Sequence, residues 1–300
     1  MKKMKIYVIT YKRNEILNDS LDKLFSSDFS KLENTEVNII NNHTDFKLRP
    51  EFEKRVNVLH NVLRPDWSNG NVSENYNQAF INGVNNFRNP ATELLVTMQN
   101  DAAVHSNWCE HLFDMLYVQK FNFVVGHFGD NVVCHTPESI MNIGMWDENL
   151  PGQYKEADYW IRALRQNREG SCINDTLHGL EFNNENALDI DTTEDRNFIE
   201  EAGFKGASTL KRRPDDSEQS KIWETSRGGL FKTAAWQYFH NKWKGTWKHD
   251  PTKIGWVKQW PKEFKDNPPD ITKSKFKTFY RYIYFEKHIP VSGKNYLKIK

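Results

Sequence analysis

The chain has 300 residues with 38% hydrophobic and 27% charged residues and a formal net charge of +1. This is enough chain for a substantial core, and the composition excludes a disordered or fibrous protein. The near-neutral total excludes the strong basic balance of a dedicated nucleic-acid binder, and no run approaches the ~20 apolar residues of a membrane span.

Charge is nonetheless uneven along the chain. From Pro251 to Lys300 there are twelve Lys and Arg against four Asp and Glu, leaving the first 250 residues at −7. A basic tail on a mildly acidic body suits contact with an anionic partner, and equally suits a solvated surface segment. The three cysteines, Cys109, Cys134 and Cys172, show no CxxC spacing. They argue against a disulfide framework or zinc knuckle and for a reducing, cytoplasmic setting. The apolar run behind Met1–Lys5 is too short for a signal peptide.

In chain order, Lys5–Thr10 (KIYVIT) is short and β-branched and predicts a buried strand. Apolar positions in Ile16–Leu24 follow helical spacing. Glu36–Ile40 and Val56–Val62 predict strands, Glu74–Phe87 a helix, and Glu93–Met98 (ELLVTM) a fourth strand. This rhythm predicts an α/β fold with a mixed, mostly parallel sheet flanked by helices. Ser106–Gln119 predicts a helix, Phe121–His135 one or two strands, and Glu156–Gln166 another helix. Beyond Gly170 the rhythm fades. The expected division is therefore a core over 1–185 and a basic, aromatic-rich, mainly helical extension over 186–300, in which Trp236–Trp243 is helical.

Ligands of such sheets sit at the carboxyl ends of the strands. The polar clusters Tyr11–Asn14, Asn41–Asp45 and Gln99–Asp101 all fall there. Asp101 follows a buried strand, where a carboxylate can hold a divalent cation against a diphosphate, or simply cap a turn. The segment Gly144–Arg162 (GMWDENLPGQYKEADYWIR) carries Asp147, Glu148, Glu156 and Asp158. Acids opening a helix favour its dipole, and Asp158 with Arg162 has the i,i+4 spacing of a helical ion pair. A general base near an acceptor hydroxyl is the functional alternative. His178 is a lone histidine, structural in most settings and a metal ligand or phosphate contact in some. Asn75 and Asn77 either cap a helix or bond a ribose or base.

Taken together, these stretches resemble the family-2-like glycosyltransferases of the GT-A fold. KIYVITYKR resembles the opening strand with its T-Y-x-R nucleotide contact. IINNHTD resembles the D-N-x-S/T element, and NVSENYNQAFING the Asn-bearing helix after the third strand. LLVTMQNDAAVHSNW resembles the strand carrying DxD, with Trp108 as the downstream Trp. GMWDENLPGQYKEADYWIRA is the closest match, resembling G-x-F/W-D-E-x-L-x-x-x-x-E-D-x-D-x-x-x-R. Two departures stand out: Asn41 replaces an acid before Asn42, and Gln99 replaces the first acid of DxD. The E-D pair reads Glu156-Ala157.

The resemblance implies a nucleotide-sugar donor bound by Thr10, Tyr11, Arg13, Asn42, Asn75, Asn77 and Asn100. It implies Mn²⁺ or Mg²⁺ on Asp101 and His178, and Asp158, in preference to Glu156, as the base in an inverting transfer to a glycan or glycolipid hydroxyl. Trp146 and Trp160 are expected to stack on the acceptor sugar. The basic Ser274–His288 segment is expected to pack on the core as an amphipathic helix, with peripheral contact to an anionic membrane surface as the alternative. No nucleic-acid partner is expected. The rival readings are an inactive GT-A domain that binds carbohydrate or acts as a scaffold, and a nucleotidyltransferase. The second is disfavoured because TYKRNE lacks a Gly-rich loop.

Overall fold

The computed structural model describes residues 3–32, 34–62, 71–100, 102–104, 108–118, 123–125, 132–152, 154–156, 158–159, 162, 177–179, 207–209, 234–235, 237–239 and 241–242. Asp101, Trp160 and the 274–288 segment lie outside these residues.

A seven-stranded sheet organises the molecule. Its strands are β1 (Lys3–Thr10), β2 (Asn34–Asn41), β3 (Asn57–His60), β4 (Leu94–Gln99), β6 (Phe123–Val125), β7 (Val132–His135) and β8 (Leu177–Gly179). They lie in the order β3-β2-β1-β4-β7-β6-β8. Only β7 runs against its neighbours, so the sheet is mixed and mostly parallel, as the sequence predicts. A separate pair joins β5 (Ala102–Val104) to β9 (Ala207–Thr209), antiparallel.

The core strands are near-continuous apolar runs because helices cover both faces. On one face Met4, Ile6, Val8, Leu94, Val96 and Met98 pack against Leu17, Leu21 and Leu24 of α1 (Asn14–Phe25). Phe52 of α2 (Pro50–Glu53) and Trp108, Cys109 and Leu112 of α4 (Trp108–Phe113) complete that layer. The Trp108 indole N–H donates to Ser27 Oγ at 3.0 Å, so a large ring is buried without stranding its donor. α4 ends in one π-helical turn over Asp114–Val118 rather than continuing as α-helix to Gln119.

The opposite face receives α3 (Val72–Val84) and α5 (Pro137–Ile143). α3 starts where Asn71 caps it, its side chain accepting from Glu74 N at 3.1 Å. It approaches the sheet most closely at Gly83. A Cβ added there would stand 2.0 Å from Leu95 Cδ1 and 3.1 Å from the Tyr7 ring. α5 and α2, absent from the sequence expectation, begin with Pro137 and Pro50, residues whose fixed φ suits a first turn. α5 is capped by Thr136 Oγ1, accepting from Ser139 N.

This second face is aromatic. His135 is fully buried between Phe123 (stacked, 4.7 Å), Phe80 (edge-on, 4.9 Å) and Tyr159 (edge-on, 5.6 Å). Its Nδ1 meets Ser139 Oγ at 3.2 Å, while Nε2 has no hydrogen-bond partner among the described residues. Burial therefore pushes the imidazole pKa down to about 3.

Two outcomes follow from this packing. Gly83→Ala should lower stability by ~1–3 kcal/mol, because the new methyl must displace a buried leucine; urea melts measure it. The second concerns acid. The unfolded His135 takes up a proton near pH 6.5 and the folded one resists until about pH 3. Stability should thus fall between those values by about 1.4 kcal/mol per pH unit from this residue alone. His135→Phe should flatten that part of the stability–pH curve in chemical denaturation at pH 7, 5.5 and 4.5.

Candidate active site

The carboxyl ends of β1, β2 and β4 meet in a web of amides. Asn42 Nδ2 donates to the Thr10 carbonyl at 3.1 Å, and Asn42 N to the same oxygen at 3.0 Å. Asn100 N binds the Ile9 carbonyl and its Nδ2 binds Thr10 Oγ1 at 3.1 Å. Asn41 Nδ2 donates to the His43 carbonyl at 2.7 Å and meets His60 Nδ1 at 3.0 Å. Amides suit this edge because each side chain both donates and accepts, and so satisfies strand-end backbone that a sheet leaves unpaired.

The loop after β1 is strained. Lys12 and Arg13 both hold left-handed backbone, at φ 55° and 59°. For non-glycine residues this costs on the order of 1 kcal/mol each and concentrates at functional positions. It turns the chain sharply from β1 into α1, leaving Tyr11, Lys12 and Arg13 half-buried at the mouth. The Tyr11 ring packs edge-on against His43 at 5.2 Å.

The first two turns of α3 connect this web to the acidic segment. Asn75 Oδ1 accepts from Asn61 Nδ2 at 3.2 Å, and Asn61 N binds the Asn41 carbonyl at 2.7 Å. On the other side, Ser73 Oγ donates to the Leu150 carbonyl and Val72 N to that of Pro151. Asn77 is the firmest link. Its Nδ2 donates to the Trp146 carbonyl (2.9 Å) and Glu148 Oε1 (2.8 Å), and its Oδ1 accepts from Trp146 N (2.8 Å).

The acids of the segment fall into three settings. Asp158 is fully buried, with Oδ2 on Arg162 Nε at 2.9 Å and Oδ1 on Lys242 Nζ at 2.7 Å. Asp147 Oδ2 accepts from Lys242 Nζ (2.6 Å) and the Tyr238 hydroxyl (2.9 Å). Burial by itself would push the Asp147 carboxyl up. The Lys242 ammonium, with hydrogen bonds from Asn149 N and Tyr238, outweighs it and holds the group below the usual carboxylate range. Glu156 pairs with Lys155 at 2.7 Å and keeps 25% of its side chain exposed, against 0% for Asp158.

In this conformation both Asp158 oxygens pair with cations, Glu156 is partly exposed and Glu148 is exposed. Trp146 is buried. Its ring is 2% exposed, stacked on Tyr159 at 4.1 Å and tilted against Tyr76 at 4.8 Å. Asn77, Asn75, Asn42 and Thr10 are buried, whereas Tyr11, Arg13 and Asn100 are partly exposed.

The strand register also moves His178 away from the end of β4. It pairs with Val124, which pairs with Cys134, which pairs with Val96. Three strand spacings across and three residues short of Gln99 amount to ~14 Å sideways and ~10 Å lengthwise. The backbone of His178 thus lies three strands across the sheet from β4. Among the described residues no group of three or more His, Cys, Asp or Glu is placed to hold a metal ion. Gln99 and Asn100 offer neutral oxygens where a hard cation prefers charged ones.

Tyr238 and Lys242 were not singled out as site residues in the sequence. The signal for them was helical spacing: residues 234–235, 237–239 and 241–242 are helical, and Ala235, Tyr238, Phe239 and Lys242 fall on one face. Phe239 is buried and stacks on Tyr154 at 5.4 Å.

No family model matches the chain, and no curated protein matches it. Among solved structures, it is similar to the crystal structure of S. aureus TarS residues 1–349 in complex with UDP-GlcNAc. That similarity has a TM-score of 0.47 and 10% identity, over 80% of this chain and 67% of that one. A second crystal structure of TarS 1–349 gives a TM-score of 0.46 and 8% identity, over 93% and 78%. A further TarS crystal structure gives 0.39 and 9%, over 53% of this chain and 34% of that one. The chain thus matches about a third of the length of that last structure.

The Asn77 clamp yields a direct expectation. Asn77→Ala strands the Trp146 N–H and carbonyl in a buried setting and should cost ~2–4 kcal/mol. Near-ultraviolet circular dichroism should report loss of the Trp146–Tyr159 stack at temperatures where the far-ultraviolet signal is still native.

Proposed function

We propose that the protein is a nucleotide-sugar-dependent glycosyltransferase of GT-A type that transfers a sugar to an acceptor hydroxyl with inversion. One observation carries this reading. The first two turns of α3 join an amide-lined strand edge to a segment bearing a partly exposed acid, through Asn75 on one side and Ser73 and Asn77 on the other. The described parts of the sequence stretches that resemble the family lie along the same elements.

In this reading the donor lies across the strand ends. Tyr11 offers a ring to the base, Arg13 a cation to the diphosphate, and Asn100 an amide to the sugar or ribose. Thr10, Asn42 and Asn75 hold the floor in shape. Glu156 is the base: it takes the proton of the acceptor hydroxyl, whose oxygen then attacks the anomeric carbon from the face opposite the departing diphosphate. Asp158 holds the Glu156 helix in place through Arg162 and Lys242. A Mn²⁺ or Mg²⁺ ion, when bound, neutralises charge on the diphosphate. Asp101 is the residue to hold it. The acceptor is a glycan or glycolipid, and the basic 274–288 segment is proposed to support it from the core or from an anionic membrane surface. Among the described residues, no helix is long and apolar enough to cross a membrane.

A panel of nucleotide sugars, assayed with and without Mn²⁺, tests this. One donor class should bind and turn over. Glu156→Gln should keep donor affinity within about threefold and lower turnover ~10²–10⁴-fold, the usual worth of a general base. Asp101→Ala should weaken donor binding and abolish its dependence on Mn²⁺. Metal-independent donor binding without turnover in the wild type would instead establish an inactive carbohydrate-binding domain, which the Gln99 substitution in DxD favours.

A further inference from the structure

Lys242 lies more than 80 residues beyond the acidic segment, yet its ammonium is the point at which two of that segment's carboxylates converge. Nζ stands 2.6 Å from Asp147 Oδ2 and 2.7 Å from Asp158 Oδ1. The Lys242 side chain is 28% exposed, Asp147 11% and Asp158 0%. The contact belongs to a docked helix face. Ala235 and Phe239 are buried, Phe239 stacks on Tyr154, and the Tyr238 hydroxyl donates to Asp147 and accepts from Asn149 Nδ2 at 3.4 Å.

Burying the Asp158 carboxyl against Arg162 alone would carry a large desolvation penalty. A second cation on its other oxygen offsets that penalty, and here it comes from a distant helix. Tyr154 takes left-handed backbone at φ 63°, and the Asp158 N–H bonds its carbonyl at 2.9 Å, so the turn that opens the Glu156 helix lies between the two docking points.

We propose that Lys242 is a positioning residue: by bridging Asp147 and Asp158 it ties these two acids to the helical residues 237–239 and 241–242 and so sets the placement of Glu156. This rests on the glycosyltransferase reading. Lys242 acts through Asp158 and touches no reacting atom. The directions of the proton affinities agree with the bridge. Burial alone would lower the Lys242 pKa, and Asp158 and Asp147 together raise it above the ordinary lysine value. Removing the ammonium leaves an excess of buried negative charge two residues from Glu156, so the proton affinity of Glu156 should rise.

The experiment compares full-length wild type, Lys242→Met and Lys242→Arg over pH 5–9. Lys242→Met should leave the donor KM within about twofold, lower kcat at least tenfold, and move the acid limb of kcat to higher pH. Lys242→Arg should restore most of both. Wild-type kcat and pH profile in Lys242→Met overturns the proposal. So does a kcat loss with an unmoved profile that Lys242→Arg fails to restore. A second measurement is independent of turnover. The Tm losses of Asp147→Asn and Lys242→Met should be less than additive in the double variant, and additive losses overturn the bridge. If the wild type turns over no donor, the glycosyltransferase reading fails by itself, and the Tm cycle still decides the bridge.

Discussion

The site depends on the amide of Asn77. It grips the backbone of Trp146 by both its halves, donating to the carbonyl and accepting from the N–H. An irregular segment has no ladder or helix to satisfy its backbone, so something else must. A buried asparagine on a rigid helix does so with one side chain. Once Trp146 is held, its ring stacks on Tyr159 and closes the aromatic layer over His135. The acids are thus held in place from below, by the sheet, through α3.

The approach of α3 to the sheet makes that grip effective. Gly83 lets the helix sit directly on Leu95 and Tyr7, and Asn71 starts it at the level of the strand ends. A helix this close carries its first turns over the carboxyl edge of β1 and β2. There Asn75 reaches Asn61 while Asn77 reaches the opposite wall. One helix therefore spaces the two halves of the proposed site, and its rigidity is transmitted to both.

Charge in the site is arranged in unequal layers. Asp158 sits deepest and is neutralised twice; Asp147 is shallower and shares the same lysine; Glu156 is shallower still, with a single lysine neighbour described. Deep pairs are costly to break because a partner left behind stays buried and charged. Shallow ones exchange readily with water. The gradient sets the two carboxylates bridged by Lys242 apart from a more exposed one, although all three are close in sequence.

Much of the fold was legible in the chain. KIYVIT, EVNII and ELLVTM are largely apolar runs rich in Val and Ile, and strands covered on both faces accept such sequences. The alternation of these runs with helical spacing made a parallel sheet the economical arrangement, and the strand-end location of Thr10, Asn42 and Asn100 followed. Periodicity could not tell which amides face a ligand and which face the protein. Asn77 and Asn100 look alike in sequence; one is buried under Trp146 and the other stands at the edge. Nor could spacing separate Glu156 from Asp158, since two residues along a helix turn a side chain by about 200°. Register, not sequence, moved His178 away from the end of β4. Local sequence determined which segments are strands and helices, because hydrogen bonding and burial pattern are short-range. Which acid is buried, which lysine reaches it and which ring is covered were decided by the tertiary structure alone, because those contacts join residues 70 to 95 positions apart through a packed interior.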